Sequence, residues 1–289
     1  MPLTERQFTV ETHDGALLRV LEFGPGRATG QPTVVLAHGW TMTHRSWLPV
    51  VELLRTELGA RVVVYDQRGH GASTPGPTNP SVRVLGNDLA QVVAVAAPVG
   101  PVILGGHSMG GMSVLAYAGR HREEFRARVR GAVLVSTAAG DLSARRGAPE
   151  AFIMQALAWA PRLPIGRAVA LIGDTRLLFG EDPRPEDVQA CRDQVAATHL
   201  PTIGQYYSAL GDHDEQEATA QFASIPTDII VGGKDRLTPV HHSERLHELI
   251  PHSELVVLPR LGHMLPYEAP EAIARALASH LHAAQAEAG

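Results

Sequence analysis

The sequence predicts an α/β protein with a mostly parallel β-sheet flanked by helices. Short apolar runs alternate with helical patterns along most of the 289 residues, which is typical of strand–helix–strand units. This alternation stops once and later resumes, which indicates an insertion. The composition, with 44% hydrophobic and 19% charged residues, is close to that of soluble globular domains and excludes a fibre, a coiled coil or a disordered chain.

Eight apolar runs have the length expected of strands. The first two flank a His-Asp-Gly turn at residues 13–15 and predict a hairpin. The later runs are uninterrupted, as expected of strands that are buried on both faces. The predicted strands are 7–10, 17–22, 33–37, 62–65, 102–104, 132–136, 228–231 and 254–258, and the predicted helices are 46–58, 82–97, 109–121, 241–250 and 271–284.

Residues 138–222 interrupt the alternation. They contain helical stretches broken by prolines such as Pro161 and Pro183, and they have no clear strand pattern. A connection of this length is too long for an ordinary loop between two strands. We therefore expect a helical cap, packed over one end of the sheet and inserted into a core made of residues 1–137 and 223–289.

Charge and N-terminal composition narrow the range of partners and locations. Lys and Arg total 25 against 30 Asp and Glu, so no basic surface for nucleic acid is expected. No apolar signal-peptide core follows Glu5 and Arg6. The uncharged stretch 89–106 contains Pro98 and Pro101 and cannot form one continuous membrane helix. We expect a cytoplasmic protein without a membrane span. Cys191 is the only cysteine, which excludes an intrachain disulfide.

Residues 102–111, VILGGHSMGG, carry the strongest chemical signal. A Gly-His-Ser-Met-Gly motif between a strand and a helix is typical of a nucleophile elbow. Such an elbow is a sharp turn that projects the hydroxyl of Ser108 into the site, and only glycine fits at 106 and 110, where strand and helix approach each other. The N-terminus of the following helix favours a developing oxyanion. We predict that Ser108 is a nucleophile.

The loop after the third strand, His38-Gly39-Trp40, is predicted to complete an oxyanion hole. A tetrahedral intermediate needs two preorganised backbone N–H donors. One donor follows the nucleophile and belongs to Met109, and the other is expected from Trp40. We interpret His38 as an organiser of this loop.

Asp235 and His263 are the predicted acid and base. Each follows a late strand, so both should lie at the same rim of the sheet as Ser108. A serine hydroxyl needs an imidazole to take its proton and a carboxylate to orient that imidazole. The chain order Ser, Asp, His fits such a triad. Asp228 and Asp141 are alternative acids, the latter because it follows the sixth strand.

Together these motifs resemble the α/β-hydrolase superfamily, and within it the esterase, lipase and haloperoxidase-like group. The resemblance implies an α/β-hydrolase fold, in which eight strands form a mostly parallel sheet with the second strand antiparallel and a cap covers the site. It also implies that Ser108, Asp235 and His263 form the triad and that 66–71 is a structural turn. The motifs are HGW at 38–40, DQRGHGAS at 66–73, GHSMGG at 106–111, GGKDRLTP at 232–239 and LGHMLPYEAPE at 261–271.

Side chains of the insertion are expected to contact the substrate. The candidates are the large residues Trp159, Phe179 and Tyr206. His213 is a further candidate, although it also fits a role at a helix end. Histidines 241, 242 and 247 are poorly spaced for metal binding on one helix face, and no dinucleotide fingerprint is present. We expect neither a metal nor an organic cofactor.

The predicted activity is that of a serine carboxylesterase or lipase. The apolar composition of the insertion favours a small-molecule ester with an apolar group, such as a medium-chain acyl ester or a monoacylglycerol. The same triad also fits a C–C bond hydrolase, a lactonase or a cofactor-free haloperoxidase or perhydrolase. A catalytically inactive, ligand-binding relative is a further alternative.

Overall fold

An eight-stranded sheet forms the centre of the computed structural model, which describes residues 5–25, 30–142, 148–163 and 174–288. The strand order is β1-β2-β4-β3-β5-β6-β7-β8. β2 runs antiparallel to β1 and β4, and all other neighbours are parallel, which confirms the predicted fold class. The strands are β1 (Glu5–Glu11), β2 (Leu17–Phe23), β3 (Thr33–Ala37), β4 (Arg61–Tyr65), β5 (Val102–His107), β6 (Val129–Val135), β7 (Thr227–Gly232) and β8 (Glu254–Leu258).

Helices cover both faces of the sheet. Residues alternate along β3, so that Val35 packs into one buried apolar cluster and Val34 and Leu36 pack into another on the opposite face. The first cluster includes residues of α2, α3 and α8, and the second includes residues of α1 and α10. The helices are α1 (Leu48–Leu58), α2 (Val82–Ala96), α3 (Met109–Arg120), α4 (Arg122–Arg128), α5 (Ala148–Ala158), α6 (Pro185–Ala197), α7 (Leu200–Gly211), α8 (Val240–Leu249), α9 (Leu265–Glu268) and α10 (Pro270–Ala288).

The structure adds two short helices to the predicted core elements. α4 has Phe125 as its one buried residue, and α9 is only four residues long, so neither produces a readable periodic pattern. The uncharged stretch 89–106 is divided between α2 and β5, as predicted. Within the described ranges, no helix combines the length and apolar composition needed to cross a bilayer.

Residues 138–222 connect β6 to β7 and are called the insertion below. Its described part contains α5, α6 and α7 together with two 3-10 helices, Thr175–Leu178 and Gln216–Ser224. The insertion contacts loops that follow the carboxyl ends of β3 and β4. Thr198 Oγ1 donates a hydrogen bond to the carbonyl of Thr41 at 3.1 Å, and Tyr206 Oη donates to the carbonyl of Arg68 at 3.0 Å.

Candidate active site

Ser108 occupies the turn between β5 and α3 in a strained backbone conformation. Its φ and ψ are 53° and −120°, a region that non-glycine residues seldom adopt and that persists only where neighbouring contacts fix it. The Ser108 N–H donates to the carbonyl of Val135 at 2.9 Å, and Thr137 Oγ1 donates to the Ser108 carbonyl at 2.7 Å. The turn is therefore held from the adjacent strand β6.

Glycines permit the close approach of strand and helix at this turn. A Cβ atom built on Gly106 would lie 2.6 Å from the backbone of Gly110. A Cβ atom on Gly110 would lie 2.0 Å from the carbonyl oxygen of Ala37, at the end of β3. Both distances are too short for a real Cβ atom, so the steric reason given for the motif holds at both positions.

Asp235 and His263 form a buried hydrogen-bonded pair at the carboxyl ends of β7 and β8. His263 Nδ1 lies 2.8 Å from Asp235 Oδ2, and the two residues are 4% and 5% exposed. The other carboxylate oxygen, Oδ1, accepts the N–H groups of Leu237 and Thr238, both at 2.9 Å. Thr238 Oγ1 also donates to Oδ2 at 2.9 Å. These donors fix the orientation of the carboxylate toward His263.

The surroundings of Asp235 favour its ionised form. Burial alone would raise the pKa of its carboxyl, but the charge and hydrogen bond of His263 oppose this effect, as do the hydrogen bonds from Thr238. The net result is a pKa below the usual value of an aspartic acid. Asp235 can therefore accept a hydrogen bond from Nδ1–H of His263 at neutral pH and stabilise a positive charge on the ring.

His107 links the elbow to the loop that carries His263. Its Nε2 donates to the carbonyl of His263 at 2.8 Å, and the two rings lie 4.9 Å apart. Burial, together with the nearby charge of His263, lowers the pKa of His107 to about 3, so this ring stays neutral. No role was predicted for His107 from the sequence, although its position directly before Ser108 indicated that it would lie near the site.

The loop that follows β3 passes directly over the elbow. A Cβ atom on Gly39 would lie 3.0 Å from Nδ1 of His107 and 3.4 Å from Cβ of Ser108. The loop after β3 and the elbow are therefore in contact at Gly39 and Ser108. Among the described residues, no acceptor is bonded to the backbone N–H of Trp40 or of Met109.

His38 organises this loop, in agreement with its predicted role. Its Nε2 accepts the backbone N–H of Gln67 at 2.9 Å, and its Nδ1 donates to the carbonyl of Gly39 at 2.8 Å. Burial lowers its pKa to about 4, which is consistent with a neutral ring that both donates and accepts.

The alternative acids lie away from His263. Asp141 follows β6 in the left-handed region, with a φ of 61°, and its side chain is exposed. Asp228 lies near the amino end of β7 and contacts His280. Of the three predicted carboxylates, the structure brings only Asp235 to His263.

The insertion residues predicted to contact substrate differ in their placement. Phe179 is buried in an apolar cluster with Met264 that adjoins Trp40. Tyr206 is also buried, but its hydroxyl is bonded to the backbone of Arg68. His213 Nε2 donates to the carbonyl of Ala138, within the insertion, at 3.0 Å, and burial lowers the pKa of this histidine. The Tyr206 hydroxyl and His213 Nε2 are therefore both bonded to backbone carbonyls.

Trp159 does not meet the expectation of a substrate contact. Its side chain is 88% exposed. It lies in the turn directly after α5, where the chain leaves the helix. An apolar residue at a helix end carries no periodic signal for the buried face, and this is why the sequence misplaced it.

Glu268 joins the insertion to the loop that carries His263, which is called the base loop below. This contact was not predicted from the sequence. Its carboxylate accepts the N–H of Gly180 at 2.6 Å and the N–H of Gly262 at 3.1 Å. The N–H of His263 donates to the carbonyl of Leu178 at 2.7 Å. Residues 178–181 of the insertion therefore lie directly against the loop that carries His263.

Comparisons with known proteins identify the family of the chain. A family model of the α/β-hydrolase fold matches residues 32–270. An AB hydrolase superfamily protein of Bacillus subtilis is 29% identical over 269 residues, which cover 91% of this chain and 95% of that protein. A non-heme chloroperoxidase of Kitasatospora aureofaciens is 26% identical over 259 residues, which cover 87% of this chain and 90% of that protein.

The fold also matches solved structures over nearly its full length. A thermophilic esterase from Thermogutta terrifontis, solved with malate bound, superposes with a TM-score of 0.78 at 25% identity and covers 96% of this chain and 99% of its own. The chain therefore belongs to the α/β-hydrolase fold family.

Proposed function

We propose that the protein is a serine hydrolase that cleaves carboxylic esters through an acyl-enzyme. The observation that carries the proposal is the buried Asp235–His263 pair, which lies beside an elbow that holds Ser108 at a φ of 53°. A nucleophile, an orienting carboxylate and a base, which follow one another in the chain as Ser108, Asp235 and His263, are the components of a hydrolytic triad.

In the proposed mechanism, Ser108 Oγ attacks the acyl carbon while His263 Nε2 takes the hydroxyl proton. The carbonyl oxygen becomes an oxyanion that accepts hydrogen bonds from the amides of Trp40 and Met109. When the tetrahedral intermediate collapses, the bond to the alcohol oxygen breaks, and His263 returns its proton to that oxygen. Water then attacks the acyl carbon while His263 takes one of its protons, the bond from that carbon to Ser108 Oγ breaks, His263 returns the proton to Oγ, and the carboxylic acid leaves.

Asp235 supports this cycle without taking up a proton. Its ionised carboxylate accepts from His263 Nδ1, so the opposite ring nitrogen, Nε2, is left without a proton and can act as the base. The lowered pKa of Asp235 keeps this carboxylate ionised at neutral pH, so it remains an acceptor for Nδ1–H.

An apolar cluster beside the site favours an ester with an apolar acyl group. Residues of the insertion and of the core loops share this cluster, and Trp40 packs against it. We therefore propose that the insertion acts as a cap and that the substrate is a medium-chain ester or monoacylglycerol. The buried residues of the cluster are Met42, Met154, Phe179, Cys191, Val195, Ile203, Tyr207, Met264 and Tyr267. Burial raises the pKa of the Cys191 thiol to about 12, which makes it a poor competing nucleophile.

A second candidate function is perhydrolysis. The observation that favours it is the similarity to a protein named a non-heme chloroperoxidase, which covers 90% of that protein. The first half of the cycle would be unchanged, and hydrogen peroxide would replace water as the attacking group. Its oxygen would bond to the acyl carbon, the bond to Ser108 Oγ would break, and a peracid would leave.

Labelling with a fluorophosphonate tests the nucleophile. We expect one label, located on Ser108 by peptide mass spectrometry, and complete loss of p-nitrophenyl ester hydrolysis. Ser108→Ala should take no label, whereas the control Ser113→Ala should still be labelled, because Ser113 is buried and its hydroxyl is bonded to Gln67 at 2.8 Å. A label on another serine, or full activity in Ser108→Ala, would reject the proposal.

A p-nitrophenyl ester series from acetate to palmitate tests the substrate class. We expect the highest kcat/KM at intermediate chain length, since the cluster beside the site is apolar. Repeating the series with hydrogen peroxide and measuring peracid separates perhydrolysis from hydrolysis. A preference for acetate alone would contradict the proposed apolar acyl group.

A further inference from the structure

Helix α6 of the insertion holds the loop that carries Trp40. Gln194 of this helix is 7% exposed, and its Oε1 accepts two hydrogen bonds from Thr43. The backbone N–H of Thr43 donates at 3.0 Å and its hydroxyl donates at 2.7 Å. The same hydroxyl accepts the N–H of Arg45 at 3.3 Å, at the start of the following 3-10 helix. One buried amide thus fixes the C-terminal end of the loop.

Gln194 also reaches the element that follows the base loop. Its Nε2 donates to the hydroxyl of Tyr267 at 2.5 Å. Tyr267 lies in α9, the short helix that follows the loop carrying His263, and is 6% exposed. The side chain therefore bridges the loop after β3 and the segment after β8, two parts of the site that come from distant strands of the sheet.

The loop between these contacts has a conformation that needs external support. Thr41 has a φ of 60°, a left-handed value that a β-branched residue rarely adopts. Its carbonyl accepts the hydroxyl of Thr198, one helical turn after Gln194, at 3.1 Å. Trp40 directly precedes this strained residue, so the direction of its backbone N–H depends on the conformation that α6 maintains.

We propose that Gln194 is a positioning residue, which keeps residues 39–43 in the conformation that aims the Trp40 N–H at the oxyanion. This inference rests on the proposed function and assigns part of its transition-state stabilisation to the insertion. Without the Gln194 amide, the N–H and hydroxyl of the half-buried Thr43 lose their acceptor, and the loop must rearrange to satisfy them. A displaced oxyanion donor lowers kcat but leaves ground-state binding of the ester largely intact.

The test compares Gln194→Met with a matched control on the same helix. Methionine keeps the length of the side chain and removes both polar atoms. The control is Gln189→Met, because Gln189 is exposed and, among the described residues, its side chain is hydrogen-bonded to Asp193 alone, within α6. We expect Gln194→Met to lower kcat for p-nitrophenyl butyrate by about 10–100-fold, below the full effect of losing one oxyanion donor, with KM changed less than threefold. Gln189→Met should match the wild type.

Two further measurements separate positioning from general destabilisation. A trifluoromethyl ketone forms a tetrahedral adduct with the serine, and its inhibition constant should weaken in Gln194→Met by about the same factor as kcat. Hydrogen exchange at amides 40–43 should accelerate in that variant while the amides of β5 stay protected. Gln194→Glu should restore most of the kcat, since its carboxylate accepts both Thr43 bonds and the Tyr267 hydroxyl can donate to it.

The possible failures are distinguishable. Equal kcat values in Gln194→Met and Gln189→Met would overturn the inference while leaving the proposed function intact. A reduced kcat with unchanged ketone affinity would overturn it as well, because the loss would then lie outside the oxyanion loop. A wild-type protein with neither ester turnover nor a label on Ser108 would remove the proposed function and this inference with it. If Gln194→Met does not fold, Gln194→Asn replaces it with the same expected selective loss of kcat.

Discussion

Replacing Asp235 with asparagine should produce a folded protein whose base carries its proton on the wrong nitrogen. In the structure, Asp235 Oδ1 accepts two backbone N–H groups, each at 2.9 Å. An asparagine would keep its carbonyl oxygen at this position, because an NH₂ group there would face two donors. The NH₂ group would then point at His263 Nδ1, in place of Oδ2. To accept this hydrogen bond, the imidazole must move its proton to Nε2, the nitrogen that is proposed to act as the base.

This tautomer cannot take the proton of Ser108. In the well-studied serine protease triad the corresponding change lowers kcat by about 10⁴-fold, which is about 5 kcal/mol of barrier. We expect a similar loss here. The free energy of unfolding should change little, since the two backbone donors keep their acceptor. A loss of activity without a loss of stability is therefore the specific signature of this variant.

The assay measures kcat for p-nitrophenyl butyrate and the urea unfolding midpoint for each variant. The matched control is Asp141→Asn: Asp141 is exposed and has a φ of 61°, a conformation that asparagine tolerates. Asp141→Asn should retain wild-type kcat. If Asp141→Asn lost activity by orders of magnitude and Asp235→Asn did not, the acid would follow β6 and the reasoning would be refuted.

Three further predictions concern other parts of the structure. Glu268→Leu should reduce kcat and the unfolding midpoint together, since it removes the acceptor of the Gly180 N–H in the insertion and of the Gly262 N–H in the loop that carries His263. Unchanged values in both assays would contradict that role. Gly110→Ala should cost about 1–3 kcal/mol or more in urea unfolding, because its Cβ would lie 2.0 Å from the Ala37 oxygen; wild-type stability would contradict the steric argument. Burial alone would raise the pKa of Asp66, but the hydrogen bond from His44, the nearby charges of His38 and His44 and the backbone hydrogen bond from Ala72 together outweigh it and lower this pKa to about 2. The ionised form therefore adds about 2 kcal/mol of stability above pH 4, which is lost as the pH falls through 2. Asp66→Asn should flatten the stability curve between pH 4 and 2, and an unchanged slope in urea unfolding at these pH values would count against the assignment.

The sequence allowed prediction of those site residues whose position follows from strand order. Asp235 and His263 each follow a buried apolar run, and parallel strands end at the same rim, so their proximity could be expected. The turn at Ser108 could also be predicted, because glycine at 106 and 110 has a local steric cause. These inferences need only local patterns and the direction of the strands.

Contacts made by the insertion could not be predicted in the same way. Gln194 is 151 residues from Thr43 in sequence, and Glu268 is 88 residues from Gly180. Nothing in a helical pattern tells which polar residue will face a distant loop. For the same reason Trp159 was expected in the site but lies on the surface, since the apolar sequence around α5 does not define a single buried face.

The base loop follows a strand at the edge of the sheet, and this has a consequence for heat inactivation. Among the described strands, β8 pairs only with β7, and its residues are exposed or half-buried. Edge strands open locally at lower free energy than central ones. Residues 178–181 of the insertion contact the loop that follows β8, through the hydrogen bond from the N–H of His263 to the carbonyl of Leu178. On warming, fraying at this edge would displace His263 while Ser108, on the central strand β5, stayed fixed, so turnover would cease at a temperature where most of the protein is still folded.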